Sequence, residues 1–351
     1  MLLYIHIPFC DSKCFYCSFN SYVDKFHLKK SYMDALYLQL FYELKRFDVK
    51  EKEIETVFIG GGTPSTVSAA LYKKIFELIN PYIADDAEIT TEANPNSATR
   101  TWIEEMKELG INRISFGVQS FDDKKLKFLN RAHNRDDALR AVKDAADAGI
   151  QNISIDLIYA TVLDTKELLQ EDFRQAFELP INHLSAYALT IEEGTPFEKK
   201  PDAALEKLSL TNFVFETIKE KGFTQYEISN FGRYQSRHNL GYWQYKDYIG
   251  AGSGAVGCKN GVRYYPSSDL EAYIRDPLHA REEKLTAQEQ KEEKLFLGLR
   301  SIVGVDEKIL SEKELKRAQL LADEKKLVKN GNTFYNLDYL LSDEISLFII
   351  N

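Results

Sequence analysis

The sequence predicts an α/β fold: a partial (β/α)6 TIM-like barrel of parallel strands, followed by a small C-terminal winged-helix-like α+β domain. Two observations predict it. Six short β-type runs alternate with helical patterns in the first part of the 351-residue chain, as in a parallel sheet with helical crossovers. The last part instead has a helix, helix, hairpin pattern. Right-handed crossovers place helices on one side of a closing sheet, which favours the barrel; a doubly wound sheet is the alternative.

The barrel elements follow one another in order. The predicted strands are "LLYIHI", "TVFIGG", "AEITTEA", "NRISFGV", "NISIDLIY" and "HLSAYALT". Apolar residues at helical spacing predict helices around Met33–Leu44 and Leu71–Ile79. Thr101 followed by Glu104 indicates a capping box in the next helix. "DDALRAVKDAADAG" is a further helix, which we expect to stop at Gly149.

The tail has a different pattern. Thr286 with Glu289, and Ser311 with Glu314, indicate two helix starts, and "LVKNGNTFYNL" is a hairpin signal centred on Asn330 and Gly331. We therefore expect three parts: the barrel over 1–230, a connecting segment over 231–280, and the small domain over 281–351. A winged helix is often a DNA-binding unit, but fold alone does not give function, and packing or partner contact is the safer interpretation here.

Composition and charge narrow the class of protein. The net charge is -9, with 44% hydrophobic and 28% charged residues, which is ordinary globular composition. An acidic chain argues against a nucleic-acid partner. The N-terminus "MLLYIHIPFC" has no basic leader, and no segment is long and apolar enough to span a bilayer. We expect a cytoplasmic protein with reduced thiols.

A cysteine loop directly follows the first strand. Cys10, Cys14 and Cys17 have the spacing C-x3-C-x2-C and are three of the four cysteines in the chain. Structural zinc sites usually have four protein ligands, whereas three thiolates on a four-iron cluster leave one iron open to a small molecule. The loop therefore favours a [4Fe-4S] cluster. A zinc knuckle completed by His6, or plain buried cysteines, are the alternatives.

Polar groups follow the later strands. "GGGTPS" comes after the second strand, and glycines let a backbone approach a ligand closely. Glu92, Gln119 and Asp156 end the third, fourth and fifth strands. A tight turn and single helix caps are the alternatives. Carboxyl ends of parallel strands share one rim, where an acid, an amide and backbone groups suit a zwitterionic amino acid and a ribose.

These motifs together resemble the radical S-adenosylmethionine (radical SAM) superfamily over much of the chain. The resemblance implies that Cys10, Cys14 and Cys17 hold the cluster. It also implies a set of contacts to S-adenosyl-L-methionine (SAM): Tyr4 and Tyr16 flanking it, Gly61, Gly62 and Thr63 at its methionyl amino group, and Glu92 as a further contact.

A second group of positions matches the coproporphyrinogen dehydrogenase branch of that superfamily. Gln119, Arg131 and Asp156 match residues that contact a second SAM there, and Ala188 in "SAYALT" is a weaker match. Where the branch pattern has glycine, leucine and proline after "IDLIY", this chain has Ala160, Thr161 and Val162. This difference changes the expected shape of the loop after the fifth strand, and with it the expectation of a second SAM.

Two branches are the nearest: the oxygen-independent coproporphyrinogen dehydrogenase, and the heme chaperones (HemW-like proteins). The dehydrogenase carries a cysteine two positions after the third cluster cysteine, where this chain has Phe19, and it has a long extension before the cluster, which here begins at Cys10. "HNLGYW" (238–243) matches the H-N-x-x-Y-W signature of the chaperone branch. These features favour the chaperone branch.

The same signature supplies the heme candidates. Histidine is a common axial ligand of heme iron, and aromatic faces suit a flat macrocycle, so His238 is the candidate ligand, with Tyr242 and Trp243 as ring contacts. The alternative is that His238 and Asn239 are hydrogen-bonded residues of a packed interdomain turn. For Cys258 we expect a buried apolar thiol.

Two functions stay open from the sequence. One is a heme carrier that keeps a radical SAM site; the other is a radical enzyme that decarboxylates coproporphyrinogen III. The resemblance implies a [4Fe-4S] cluster, SAM and heme as cofactors, with heme and a heme-acceptor protein as partners. A respiratory, membrane-associated acceptor and a homodimer are left open, and no catalytic residue is assigned.

Overall fold

The computed structural model describes residues 1–205 and 208–351. Its strands are β1 Leu2–Ile7, β2 Ile54–Gly61, β3 Ile83–Ala93, β4 Arg113–Gln119, β5 Asn152–Tyr159, β6 His183–Ala188, β7 Thr224–Gln225, β8 Asn230–Gly232, β9 Tyr248–Ala251, β10 Gly257–Lys259, β11 Val262–Pro266, β12 Ala280–Lys284, β13 Val305–Asp306, β14 Leu327–Asn330 and β15 Thr333–Asn336.

The α-helices alternate with the first six strands and then dominate the tail. They are α1 Lys29–Arg46, α2 Ala69–Ile79, α3 Arg100–Glu108, α4 Asp123–Phe128, α5 Arg135–Asp147, α6 Lys166–Glu178, α7 Leu208–Glu220, α8 Arg237–Trp243, α9 Leu270–Arg275, α10 Ala287–Leu299, α11 Glu312–Asp323 and α12 Ser342–Ile350.

Strands β1 to β6 form the parallel barrel sheet. They lie side by side in sequence order, β1-β2-β3-β4-β5-β6, and each neighbouring pair is parallel. Consecutive order follows from right-handed crossovers that all turn the same way, whereas a doubly wound sheet reverses its order part-way. The predicted partial (β/α)6 barrel is confirmed.

Further strands extend both edges of this sheet. β9 pairs parallel with β1, and β10, β11 and β12 continue antiparallel from it, while β8 closes on β6. The segment expected to connect the two domains therefore supplies strands to the main sheet. Within this extension, Ile249 and Ala251 of β9 are fully buried beside β1.

The C-terminal domain has the elements that the tail predicted. Capping boxes begin α10 at Thr286 and α11 at Ser311. β14 and β15 form the hairpin, closed by the pair Asn330 and Thr333 with Gly331 at φ +60°. A separate cluster of buried apolar side chains from α10, α11, α12 and this small sheet forms the domain's own core.

One predicted helix start is wrong. α3 is capped by Thr99, whose side chain accepts a hydrogen bond from the backbone N–H of Trp102, and not by Thr101. The cap two residues earlier allows Trp102 to be buried, and its indole N–H donates to the carbonyl of Val67 at 2.9 Å. Burial of a large aromatic ring with its donor paired outweighs a capping box.

Within residues 1–205 and 208–351, the structure contains no helix with the length and apolar character needed to span a lipid bilayer.

Candidate cofactor-binding site

The cysteine loop lies over a cavity at the carboxyl end of the barrel. Cys10 and Cys14 are buried and Cys17 is half-buried. All three line a cavity of about 420 Å³, together with the ends of β2, β3, β4, β5 and β6. The rim that the sequence predicted is therefore formed, with the thiols on one side and the strand ends on the other.

Two of the three thiols already have a hydrogen-bond donor among the described residues. Thr63 Oγ1 lies 3.4 Å from Cys10 Sγ, and an Arg131 nitrogen lies 3.2 Å from Cys14 Sγ. Burial raises the pKa of the Cys10 and Cys17 thiols. Burial disfavours the charged form of a thiol, and a metal group that coordinates these sulfurs would stabilise them as thiolates.

The geometry argues against a zinc knuckle completed by His6. In the described part of the chain, no three His, Cys, Asp or Glu side chains are close enough to share one metal ion. His6 Nε2 faces the carbonyl of Asn20 at 2.8 Å, so it must carry the proton, and Nδ1 then accepts from Tyr4 Oη at 2.9 Å. No imidazole lone pair remains for zinc. An iron–sulfur cube needs no such convergence, because each thiolate binds a different iron.

The glycine run makes room for protein groups. A Cβ on Gly61 would lie 2.3 Å from the His6 ring, and φ is +109° there; a Cβ on Gly60 would lie 2.8 Å from Glu92. The space that the missing Gly61 side chain leaves is therefore occupied by His6. Gly61, Gly62 and Thr63 do line the cavity with their remaining atoms, and the Gly61 N–H donates to Glu92 at 2.9 Å.

The three strand-end side chains converge on the cavity. Glu92, Gln119 and Asp156 all line it, and none caps a helix, since Thr99, Asp122 and Thr165 cap α3, α4 and α6. Burial, and then the charge of Asp156, raise the pKa of Glu92 to about 7. Burial likewise raises the pKa of Asp156. Two such acids beside an amide can accept hydrogen bonds from ammonium and hydroxyl groups.

Of the remaining residues expected to contact SAM, three line the cavity and one does not. Tyr16, Arg131 and Ala188 line the cavity, whereas Tyr4 lies outside the lining, with its hydroxyl on His6. Asn94 was missed: it bonds Thr63 at 3.1 Å and accepts from Arg131 at 2.6 Å. Its position two residues after Glu92 on an alternating strand end was the available signal.

Comparisons with known proteins agree with this geometry. The sequence profile of the Radical SAM superfamily matches residues 4–175. Heme chaperone HemW of Bacillus subtilis (strain 168) is 33% identical over 327 residues, which cover 88% of this chain and 86% of that protein. The chain belongs to the HemW family. Heme chaperone HemW of Escherichia coli (strain K12) is 40% identical over 266 residues, covering 73% of this chain and 69% of that protein.

A solved structure supports the fold. Coproporphyrinogen III oxidase (HemN) from Escherichia coli, described as a radical SAM enzyme, matches with a TM-score of 0.83, covering 99% of this chain and 89% of that one, at 21% identity. At that identity the likeness speaks for the fold alone. Membership of the radical SAM superfamily implies a [4Fe-4S] cluster and SAM. The three thiols, which line an open cavity, fit such a cluster.

The family signature "HNLGYW" lies away from this rim. It forms α8, whose N-terminal N–H groups at Arg237 and His238 donate to Glu88 of β3, which lies beside Thr56 of β2 in the sheet. His238 is 1% exposed, and its Nδ1 lies 2.7 Å from Thr56 Oγ1 near the start of β2. The signature therefore packs into the amino end of the barrel, opposite the cysteine loop.

The expected heme ligand is thus not accessible in this structure. The His238 ring stacks on Phe58 at 5.1 Å and meets the Tyr242 ring edge-to-face at 4.8 Å, and Tyr242 and Trp243 are only half-exposed. The contacts match the packed alternative for this motif. Nε2 of His238 is buried without a partner within the described residues, so a protein-bound water is the physical expectation there.

Phe19 has the opposite environment. Its side chain is 68% exposed and lines the mouth of the cavity. Lys13 bonds its carbonyl at 2.6 Å and Ser21 at 2.8 Å, which holds the outer turn of the loop. Tyr187 lies on the other side of the cavity and is also exposed. The mouth therefore presents aromatic surface to solvent.

Proposed function

We propose that this chain binds heme and passes it to an acceptor protein, and that it carries a [4Fe-4S] cluster and SAM in the cavity at the carboxyl end of its barrel. The observation that carries the proposal is family membership, with relatives named heme chaperones at 33% and 40% identity. The exposed Phe19, where the dehydrogenase branch has cysteine, supports the same assignment.

Within this proposal, Cys10, Cys14 and Cys17 would hold the cluster through three of its irons and leave one iron without a protein ligand. The cluster, once bound, supplies a site for the amino and carboxylate groups of SAM and a source of single electrons. The protein holds the methionyl group of SAM beside Gly61, Gly62 and Thr63. The Glu92 carboxylate accepts hydrogen bonds from SAM. Tyr16, Gln119, Arg131, Asp156 and Ala188 complete the wall.

The heme contact is proposed at one of two places. His238, Tyr242 and Trp243 are the candidates from the signature, and they become accessible only if α8 leaves the amino end of the barrel. The mouth around Phe19 and Tyr187 is accessible without any rearrangement. Aromatic faces suit a porphyrin plane, and a carrier benefits from a site that heme can leave.

The coproporphyrinogen dehydrogenase remains the second candidate function. It is favoured by Gln119, Arg131 and Asp156, which match positions of that branch and line the cavity. In an enzyme that uses a radical, water must be kept from the reacting carbon, and the wide mouth beside Phe19 offers little cover.

One anaerobic preparation can decide between the two functions. Reconstituted protein is expected to hold about four irons and four sulfides per chain, and to take up about one heme with a Soret shift. With SAM and a reductant it should leave coproporphyrinogen III unchanged. Steady formation of protoporphyrinogen IX, or the absence of any heme uptake, would contradict the carrier.

Two variants locate the heme. Phe19→Ala is expected to weaken heme binding if heme sits at the mouth, while His238→Ala leaves the Soret band in place. The reverse pattern would place heme at α8. Iron content serves as the control in both, because neither substitution removes a cluster cysteine.

A further inference from the structure

The guanidinium of Arg131 joins the cysteine loop to two strand ends. One terminal nitrogen lies 3.2 Å from Cys14 Sγ and 3.4 Å from Tyr16 Oη. The other lies 2.6 Å from Asn94 Oδ1 and 2.6 Å from the carbonyl of Gly117. A single side chain therefore bonds the loop after β1, the end of β3 and the strand β4.

The two strand-end bonds fix the direction of this guanidinium. Asn94 and Gly117 both accept from the same nitrogen, so the planar fork is oriented and the other nitrogen is aimed at Cys14. A Cβ on Gly117 would lie 3.0 Å from Arg131. The absence of a side chain at Gly117 is thus matched to the guanidinium that packs there.

The charge of Arg131 is directed at the sulfur. Its acceptors in the described part of the chain are neutral oxygens and the Cys14 sulfur, with no carboxylate among them. The hydrogen bond between this cation and the sulfur becomes stronger when the sulfur becomes more negative. That happens when a cluster gains an electron.

We propose that Arg131 is a positioning residue that sets the reduction potential of the cluster through its hydrogen bond to the Cys14 thiolate. The inference rests on the cluster of the proposed function. Hydrogen bonds to cluster sulfurs and net charge are principal determinants of cluster potential. A cation donating to the thiolate stabilises the reduced state more than the oxidised state, so Arg131 holds the potential less negative than it would otherwise be.

Lys13 offers a matched control. It carries the same charge and lies within the cysteine loop, but its ammonium bonds the carbonyl of Phe19 and the hydroxyl of Ser21, with no thiol among these partners. Arg131→Met and Lys13→Met each remove one positive charge beside the cluster. Arg131→Lys keeps the charge and loses the oriented fork.

The test is a redox titration of the reconstituted cluster, followed by electron paramagnetic resonance without SAM, so that any SAM contact of Arg131 has no influence. Arg131→Met is expected to retain about four irons per chain and to titrate at a more negative potential than wild type. Lys13→Met should shift it less, and Arg131→Lys should fall between Arg131→Met and wild type.

The outcomes separate this inference from the function it rests on. Wild-type protein that takes up no iron would contradict the proposed cluster before any variant is compared. With a wild-type cluster present, an unchanged potential in Arg131→Met, or one equal to that of Lys13→Met, would overturn the role of the hydrogen bond. If Arg131→Met assembles no iron, Arg131→Lys decides, because a wild-type potential there contradicts the proposal.

Discussion

At the residue scale, the buried His183 in the barrel is satisfied by two neighbouring side chains. His183 bonds Ser154 at 2.7 Å through one ring nitrogen and Tyr226 at 2.7 Å through the other. Burial, and then the nearby Arg113 charge, lower the pKa of His183 well below its usual value. Neutral imidazoles can then serve as fixed hydrogen-bonding groups in an interior that would penalise their charge.

His238 provides a test of this environment through pH. Burial first, and then Arg113, lower its pKa to about 3 in the folded protein, against about 6.5 when unfolded. Between these values only the unfolded chain binds the proton, so the free energy of unfolding falls as pH drops below about 6.5. The slope is about 1.4 kcal/mol per pH unit for this one group.

His238→Gln removes this titrating group, so it is expected to reduce the slope of the free energy of unfolding against pH. The reduction should reach about 1.4 kcal/mol per pH unit, or one proton, between roughly pH 4 and 6.5. The measurement is the free energy of unfolding in urea at several pH values. His279→Gln is the control, because that exposed imidazole is solvated in both states. An unchanged slope in His238→Gln would show that His238 is protonated in the folded protein.

The loops after β4 and β5 are held by a buried ion pair at the element scale. Lys125 Nζ lies 2.6 Å from Asp164 and 3.7 Å from Asp172, and all three side chains are buried. Asp164 also accepts from the Thr161 N–H at 2.7 Å, and Asp172 from the Phe121 N–H at 2.6 Å. Lys125 pairs most closely with Asp164, while Asp172 is held by hydrogen bonds from Ser120 and Phe121, so each buried charged group has partners. These bonds shape the loops that border the cavity.

The sequence predicted these elements better than it predicted their contacts. β1 and β5 match their predicted runs, because apolar runs and their flanking helices are local signals. The burial of His238 depends on α8 packing against β2, which is remote in sequence. For the same reason, the pairing of β9 with β1 and the clash that Gly61 avoids with His6 had no local signal.

Ala160 tests the departure of the β5 loop from the branch pattern. Its φ is +61° and it is 3% exposed, in a position where that pattern has glycine. A residue other than glycine in this region costs the folded state about 1–2 kcal/mol. Glycine avoids that cost, but it makes the unfolded chain more flexible, which lowers the free energy of unfolding by about 0.4–1 kcal/mol.

Ala160→Gly is therefore expected to stabilise the protein by roughly 0.5–1 kcal/mol, the difference between those two terms. The midpoint of urea unfolding measures it. Ala145→Gly, at a buried site inside α5, is the matched control and should cost about 1 kcal/mol through lost helix propensity. Destabilisation by Ala160→Gly would show that the Cβ contacts outweigh the backbone strain.

At the scale of the whole molecule, two separate hydrophobic cores are joined by several hydrogen bonds. The barrel core and the C-terminal core are separate clusters of buried side chains. Between them, Glu293 on α10 bonds Tyr245 at 2.7 Å and Arg263 at 2.6 Å, and the Ile302 N–H donates to the carbonyl of Tyr226 at 2.9 Å. Polar contacts of this kind couple domains weakly, so each core can lose stability without the other.

Leu299 tests this independence. Its side chain is fully buried in the C-terminal core, so Leu299→Ala should destabilise that domain by about 2–5 kcal/mol, from lost transfer energy and the cavity left behind. Hydrogen exchange is expected to show lost amide protection in α10, α11 and α12 only. The barrel strands β1 to β6 should keep their protection, and iron content after reconstitution should stay at the wild-type level, because the cysteine loop belongs to the other core.

Leu320→Ala removes the same atoms from the same domain at a site 48% exposed, and should change protection little, since that side chain already contacts water. Faster exchange in β1 to β6 of Leu299→Ala would mean that the two cores unfold as one cooperative unit. The polar contacts at Glu293 and Ile302 would then transmit most of the stability of one domain to the other, and the C-terminal domain would be part of what holds the cluster loop in place.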